Sequence, residues 1–390
     1  MSRSNALRVL KKPSGLSLRQ PCISTRFLHS SRPLSAPQDI AFAFDIDGVL
    51  LRSSQPVGGS ENAVRQLQSA DIPFIFLTNG GGKSELARVK DLRSKLGIES
   101  LREDAIIQSH TPFRDLKHLH DKNVLVIGGD GEKCRGVAQS YGYKSVILPA
   151  DIWAARPDVW PFSSNFSSYY DKIAKPLPTT ENLKIDAILV FNDPRDFGLD
   201  LAITIDLLLS SQGVVGTLSP KNKDPSLPNR GFQQDGQPEL HFSNPDLWWA
   251  SSYPLSRLGQ GAFREALEGV WAAITGGAAA GVTLQKEVIG KPFQGTYEFA
   301  EKQLRRNRER IATESGRSLP PLRKVYMIGD NPESDIAGAN NYKSPHGTEW
   351  VSVLVRTGVW RGGEPAHVPK MISKDVFAAV QWAMQDAEHK

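Results

Sequence analysis

Residues 41–49 read Ala41-Phe42-Ala43-Phe44-Asp45-Ile46-Asp47-Gly48-Val49, an apolar run that ends on two carboxylates one residue apart. The run is short, continuous and closed by a glycine, which predicts a strand buried on both faces. Such strands belong to parallel sheets, and open parallel sheets hold ligands beyond the carboxyl ends of their strands. Two acids at that edge repel each other and are poorly solvated unless a cation or a shared proton compensates them. The pair therefore predicts a metal, with one acid as candidate nucleophile. By itself Asp-x-Asp is equally the mark of a turn or a helix cap, so the reading depends on the rest of the chain.

Three further apolar runs end in reactive side chains. Residues 74–77 precede Thr78 and Asn79, residues 288–289 precede Lys291, and residues 325–329 precede Asp330. In one parallel sheet these ends share an edge, so a nucleophile, a hydroxyl, a cation and metal-binding carboxylates converge into a phosphate site. Strands are also expected at 106–107, 124–127, 187–191, 240–242 and 350–355. Helices are expected after a capping Ser60, at 199–209, at 262–274 and at 292–310, where Pro292 suits a first turn. Residues 151–184 and 217–238 read as irregular segments. Alternating strands and helices predict an α/β fold with parallel sheets.

The chain of 390 residues has length for two or three domains. No run of 18 apolar residues occurs, so no transmembrane segment is expected. Residues 1–38 carry five Arg, two Lys, eight Ser and no acid, the composition of a mitochondrial transit peptide, with the mature chain expected to begin near Ser35 or Ala36. Without those seven charges the net +5 becomes −2, which lacks the basic excess of a nucleic-acid surface. Cys22 lies in this leader, and Cys134 alone supports neither a disulfide framework nor a cysteine metal site.

The segments Asp45-x-Asp47-Gly48-Val49, Leu77-Thr78-Asn79, Gly290-Lys291-Pro292 and Gly329-Asp330-Asn331-(x)3-Asp335 resemble, in order, the four motifs of the haloacid dehalogenase (HAD) superfamily. About 210 residues separate the second and third, similar to the large cap of NagD-like subfamily IIA. Asn244-Pro245-Asp246 resembles a segment near the end of that cap. Thr78 to Gly82, Phe191-Asn192-Asp193-Pro194 and Gly329 to Asp335 resemble a mitochondrial branch of the subfamily. The resemblance covers roughly residues 40–380. It implies a Rossmann-like core at 39–117 and 256–390, with an α/β cap of the C2 type inserted at 118–255.

The same resemblance implies roles. Asp45 is the expected nucleophile, with Mg²⁺ on the Asp45 carboxylate, the Asp47 carbonyl and Asp330. Asp47 is the expected general acid and base, its pKa raised by crowded carboxylates. Thr78, the Asn79 N–H and Gly80 are expected to hold phosphoryl oxygens, and Lys291 to neutralise charge. Asn331 and Asp335 are expected to support the site, Asp335 by orienting Lys291 or a metal-bound water. Asn244 and Asp246 are expected to touch substrate from the cap. A dehalogenase of this superfamily lacks the second Asp and its transport ATPases carry Thr there, so Asp47 favours a phosphatase.

The leading expectation is thus a Mg²⁺-dependent phosphatase for a small phosphorylated metabolite in the mitochondrial matrix, with a homodimer through the cap and no nucleic-acid partner. A phosphoryl-binding scaffold and a phosphatase for phospholipid head groups stand as alternatives. Gly129-x-Gly131-x-x-Cys134 reads as a strand–turn–helix joint, and His118 and His120 as surface residues. The aromatics Trp153, Trp160, Phe162, Tyr169, Tyr170, Trp248 and Trp249 read as core or lid packing. Residues 305–310 read as a solvated helix end, or as a contact for anionic lipid.

Overall fold

The computed structural model describes residues 38–388 except 53, 180, 250–252 and 254; the expected transit peptide lies, up to residue 37, outside them. Apart from a small hairpin of Leu51–Arg52 with Gln55–Pro56, the strands that come first are β1 (Ile40–Phe44), β2 (Phe74–Leu77) and β3 (Ile106–Ile107). The chain then builds a second sheet from β4 (Asn123–Ile127), β5 (Ser145–Ile147), β6 (Ala187–Val190), β7 (Glu239–Phe242) and β8 (Glu287–Val288). It returns to the first sheet with β9 (Lys324–Gly329), β10 (Glu349–Val355) and β11 (Met371–Ser373).

The first sheet has the order β11-β10-β9-β1-β2-β3, and every pair in it is parallel. Its order reverses between β1 and β9, which opens a crevice beyond their carboxyl ends. Asp45 and Asp330 follow those two strands directly. All five residues of β1 are buried, and they divide by the two-residue period of a strand. Ile40, Phe42 and Phe44 pack with Val64, Leu67 and the helix Val376–Glu388. Ala41 and Ala43 face Tyr297, Ala300 and Leu304 of the helix Gln294–Ser315. Large residues on one face and small ones on the other seat helices on both sides of one sheet.

The second sheet is also parallel, in the order β8-β7-β6-β4-β5. It extends beyond the boundary expected at 255. The helix Gln260–Thr275 buries Phe263, Leu267 and Trp271 in the hydrophobic cluster that contains β4 and β6, and β8 pairs with β7. The run 288–289 is therefore a cap-sheet strand, not one of the core. A two-residue strand carries no information about which sheet it joins, so the sequence alone could not place it.

Other local readings change as well. Gly59, not Ser60, caps the helix Ser60–Ser69, while Ser60 Oγ donates to the carbonyls of Leu50 and Val57. Pro292 precedes the helix that begins at Gln294. The segment read as irregular at 151–184 contains parts of the helix Pro149–Ala155 and the whole of Ser167–Ile173. Trp153 and Tyr170 are buried, but Trp248 and Trp249 stand exposed on a hairpin with Arg257–Leu258. In the charge run, Arg305 bonds Glu301 and Thr348, Arg308 bonds the Pro320 carbonyl, and Arg310 pairs with Glu314. Those three cations are engaged within the fold, which removes most of the support for a lipid contact there. Among the described residues no helix is long and apolar enough to cross a membrane.

An internal ion pair joins elements of the cap. Arg135 reaches Asp151 through two bonds of 2.9 and 2.8 Å, and Asp151 also accepts the N–H groups of Leu148 and Lys175. This fork ties the helix Lys133–Ser140 to the start of Pro149–Ala155 and to the chain beyond Ile173. Removing one partner strands a buried charge, a change that costs about 3–5 kcal/mol. Asp151→Ala is expected to lose that much in urea unfolding of the isolated protein; a loss below about 1 kcal/mol would contradict this account.

Candidate active site

Asp45 follows β1, Asp330 follows β9, and Thr78 and Asn79 follow β2, so four of the expected residues sit on one edge of the core sheet. Lys291 arrives from a cap strand and is held by Asn79. Its N–H donates to Asn79 Oδ1 (2.8 Å), and Asn79 Nδ2 donates to its carbonyl (2.9 Å). The Lys291 ammonium then lies 2.6 Å from Asp45 Oδ1 and 2.6 Å from Asp335 Oδ1. Asp335, fully buried, accepts the N–H groups of Asp330 and Asn331 on its other oxygen, both at 3.1 Å. Asp335 thus holds Lys291 with one oxygen and fixes the backbone that presents Asp330 with the other. Asn331 Oδ1 accepts from Glu333 N, which turns the chain after β9.

Asp330 is packed so tightly that two neighbours must be glycine. A Cβ on Gly48, which has φ +91°, would lie 2.3 Å from Asp330 Oδ2, and one on Gly358 would lie 1.8 Å from it. The Val359 N–H donates to that oxygen at 2.6 Å. Neither Gly358 nor Val359 was marked by the sequence, because nothing in an isolated Thr-Gly-Val segment points to a distant carboxylate.

One carboxylate oxygen from each of Asp45, Asp330 and Asp335 lies within 4.8 Å of the other two. Burial, then Asp335, pushes the Asp330 carboxyl up to about 6 from its ordinary 3.8. Asp45 is likewise raised well above 3.8 by burial, against the pull of Lys291 and with the push of Asp335 and Asp330. Burial opposes the charge on Lys291, but Asp335 and Asp45 outweigh it and keep the ammonium protonated. Three buried carboxylates thus share one cation, and a divalent ion on hard oxygens fits the remaining charge. Asp45 Oδ2 and Asp330 Oδ1 have no hydrogen-bond partner among the described residues, so these are the oxygens open to it.

Asp47 stands apart from this cluster. Its side chain is 70% exposed and lies 3.4 Å from Arg88, a residue the sequence reading missed. Asp47 still adds to the negative field on Asp45. Thr78 Oγ1 accepts the Gly80 N–H at 3.0 Å, which occupies the Gly80 donor expected to hold phosphate. The Asn79 N–H and the Thr78 hydroxyl proton have no acceptor among the described residues.

Asn244 and Asp246 do reach the core, but they meet Asn79. Asn244 Nδ2 donates to the Asn79 carbonyl (3.1 Å), Asn79 Nδ2 donates to Asp246 Oδ1 (3.0 Å), and Asn244 Oδ1 accepts the Asp246 N–H. Their polar groups join cap to core through Asn79. The joint is continued by Gly82, whose Cβ position abuts Asn192, and by Ser109 Oγ, 3.4 Å from Ser243 Oγ.

Family models describe the same regions. The model for haloacid dehalogenase-like hydrolases matches residues 42–144, and a HAD-hydrolase-like model matches residues 288–379. A mitochondrial hydrolase of Saccharomyces cerevisiae is 39% identical over 87% of this chain and 94% of its own length. A cardiolipin synthase (CMP-forming)/mitochondrial hydrolase fusion protein of Schizosaccharomyces pombe is 40% identical over 92% of this chain, which spans only 55% of that relative. A p-nitrophenyl phosphatase from Archaeoglobus fulgidus shares the fold with a TM-score of 0.55 at 18% identity, covering 88% of this chain and 98% of the other.

The charge imbalance sets a pH dependence. A carboxyl raised in the folded state favours folding while it is protonated, and that contribution is lost as pH rises through its folded pKa. For metal-free protein, the stability of wild type relative to Asp330→Asn is expected to fall between about pH 4 and pH 6 and then level off. The change is at most roughly 3 kcal/mol for two pKa units. Mg²⁺ is expected to raise the unfolding temperature more at pH 7.5 than at pH 4.5. Equal stabilisation at both values would remove the ion from these carboxylates.

Proposed function

The chain belongs to the haloacid dehalogenase-like hydrolases, and on that footing we propose that it is a Mg²⁺-dependent mitochondrial phosphatase acting on small phosphate monoesters through an aspartyl-phosphate on Asp45. The observation that carries this reading is Lys291, 2.6 Å from Asp45 and anchored at the same distance to Asp335. A carboxylate attacking a phosphate dianion faces its repulsion, and a fixed ammonium on the nucleophile offsets it. Asp45 and Asp330 would hold Mg²⁺, which supplies further charge neutralisation on the phosphoryl oxygens.

In the first step an Asp45 oxygen forms a bond to phosphorus while the bond to the leaving oxygen breaks. Asp47 gives that oxygen a proton. In the second step Asp47 takes a proton from water, the water oxygen bonds to phosphorus, and the bond to Asp45 breaks, releasing phosphate. The exposed position of Asp47 suits a group that meets the leaving oxygen at the mouth of the site. The Thr78 hydroxyl and the Asn79 N–H have donors to offer the phosphoryl oxygens. A scaffold with no turnover gains nothing from Asp47.

Location in the mitochondrial matrix is part of this proposal, supported by the composition of residues 1–38 and by relatives named mitochondrial hydrolases. A homodimer through the cap also belongs to it and is tested by sedimentation. The fission yeast relative joins a hydrolase to a CMP-forming lipid synthase in one protein, which keeps a phospholipid monoester as the second substrate reading.

Residues 36–390 are expected to release phosphate from p-nitrophenyl phosphate with Mg²⁺ and to stop with EDTA. Asp45→Asn should cost at least about 10³-fold. Soluble monoesters, CMP among them, and phosphatidic acid in vesicles rank the substrate class. Folded protein that binds Mg²⁺ yet releases phosphate from none of these, or an Asp45→Asn protein with wild-type turnover, would sink the proposal.

A further inference from the structure

We propose that a cavity of about 310 Å³ in the cap binds a planar nitrogen heterocycle that carries a hydrogen-bond donor beside an acceptor on its edge, as adenine and cytosine do. The cavity stands on its own residues, apart from the catalytic carboxylates, and its test needs no turnover.

Its position follows from topology. The order of the cap sheet reverses between β4, which has β5 on one side, and β6, which continues to β7 and β8. The crevice outside the carboxyl ends at such a reversal is where open parallel sheets take ligands. Gly128 and Gly129, just after β4, and Arg195 and Asp196, shortly after β6, line the cavity. Gly129 has φ +82°, and a Cβ on it would lie 2.4 Å from Cys134 Sγ, so the turn is kept free of side chains. The walls are aromatic: Tyr169 and Tyr170 come from the helix Ser167–Ile173, and Phe197 begins the helix Phe197–Leu209. Such faces suit the plane of a heterocycle.

The specific signal is Asp200. It lines the cavity, is only 5% exposed, and its carboxyl group makes no hydrogen bond or ion pair among the described residues. A capping role does not account for it, because Asp196 caps this helix by accepting the Leu199 N–H at 3.0 Å. Burial, and then the charge of Asp196, raises the Asp200 carboxyl well above its ordinary range, which favours its neutral form. A neutral carboxyl offers an O–H donor next to a carbonyl acceptor. That edge is complementary to an exocyclic amino group beside a ring nitrogen. Buried polar groups are normally paired, so an unpaired acid facing an aromatic cavity is the mark of an absent partner.

The probes are adenosine and cytidine, titrated calorimetrically into residues 36–390, with N6,N6-dimethyladenosine as the ring that lacks the amino donor. At least one of the two nucleosides is expected to bind, and dimethyladenosine to bind at least tenfold more weakly than adenosine. Asp200→Leu should weaken binding at least tenfold while leaving p-nitrophenyl phosphate turnover unchanged and the unfolding temperature equal or higher. Asp200→Asn, whose amide also sets a donor beside an acceptor, should stay within about threefold of wild type. Binding by neither nucleoside, equal binding by Asp200→Leu, or loss of binding in a folded Asp200→Asn protein would overturn the proposal. None of these outcomes depends on whether the enzyme is a phosphatase.

Discussion

Everything at the carboxyl edge of the core sheet depends on one buried ammonium. Lys291 sits 2.6 Å from each of two carboxylates, with a third close by, so the site carries more negative charge than it can neutralise alone. Burial makes that excess expensive, and the same burial makes every compensating charge effective. Asp335 has no route to solvent and spends both oxygens on Lys291 and on the backbone of Asp330 and Asn331. It is the strut of the site. Asp45 and Asp330 keep one oxygen each for chemistry.

The strut works only because Asn79 delivers Lys291. A residue that follows a cap strand would drift with the cap, yet two hydrogen bonds from one amide side chain fix its backbone to the core. The same amide also donates to Asp246, and the Asn79 carbonyl receives Asn244. One side chain and its carbonyl therefore couple the position of Lys291 to the attachment of the cap. A change in cap orientation would be felt at Lys291 through this residue first.

What was legible in the sequence follows the range of the forces involved. Continuous apolar runs ending in reactive polar side chains revealed β1, β2 and β9, since burial on both faces leaves a local signature. Motif spacing revealed Asp45, Asn79, Lys291, Asp330 and Asp335 as one group. Partnership was not legible. Val288 reads the same in either sheet, and nothing local announces that Asn244 and Asp246 bond Asn79 or that Asp47 lies beside Arg88. Contacts such as Val359 with Asp330 join residues 29 apart in the chain and carry no periodicity to detect.

The two sheets meet by their carboxyl edges, and this arrangement explains why the chain can afford so large a cap. From the core come Asn79 and Gly82 after β2; from the cap come Asn192 after β6 and Asn244 to Asp246 after β7. Each sheet reverses its strand order once, and each reversal opens a crevice on its carboxyl edge. In the core that crevice holds paired, charged groups suited to a phosphoryl group. In the cap it holds aromatic walls and one unpaired acid. The cap crevice therefore lacks what phosphate chemistry requires and has what recognition of an organic ring requires. A parallel sheet was inserted into a parallel sheet, and the second reversal gave the chain a place for selectivity that the first, filled by its own charges, could not provide.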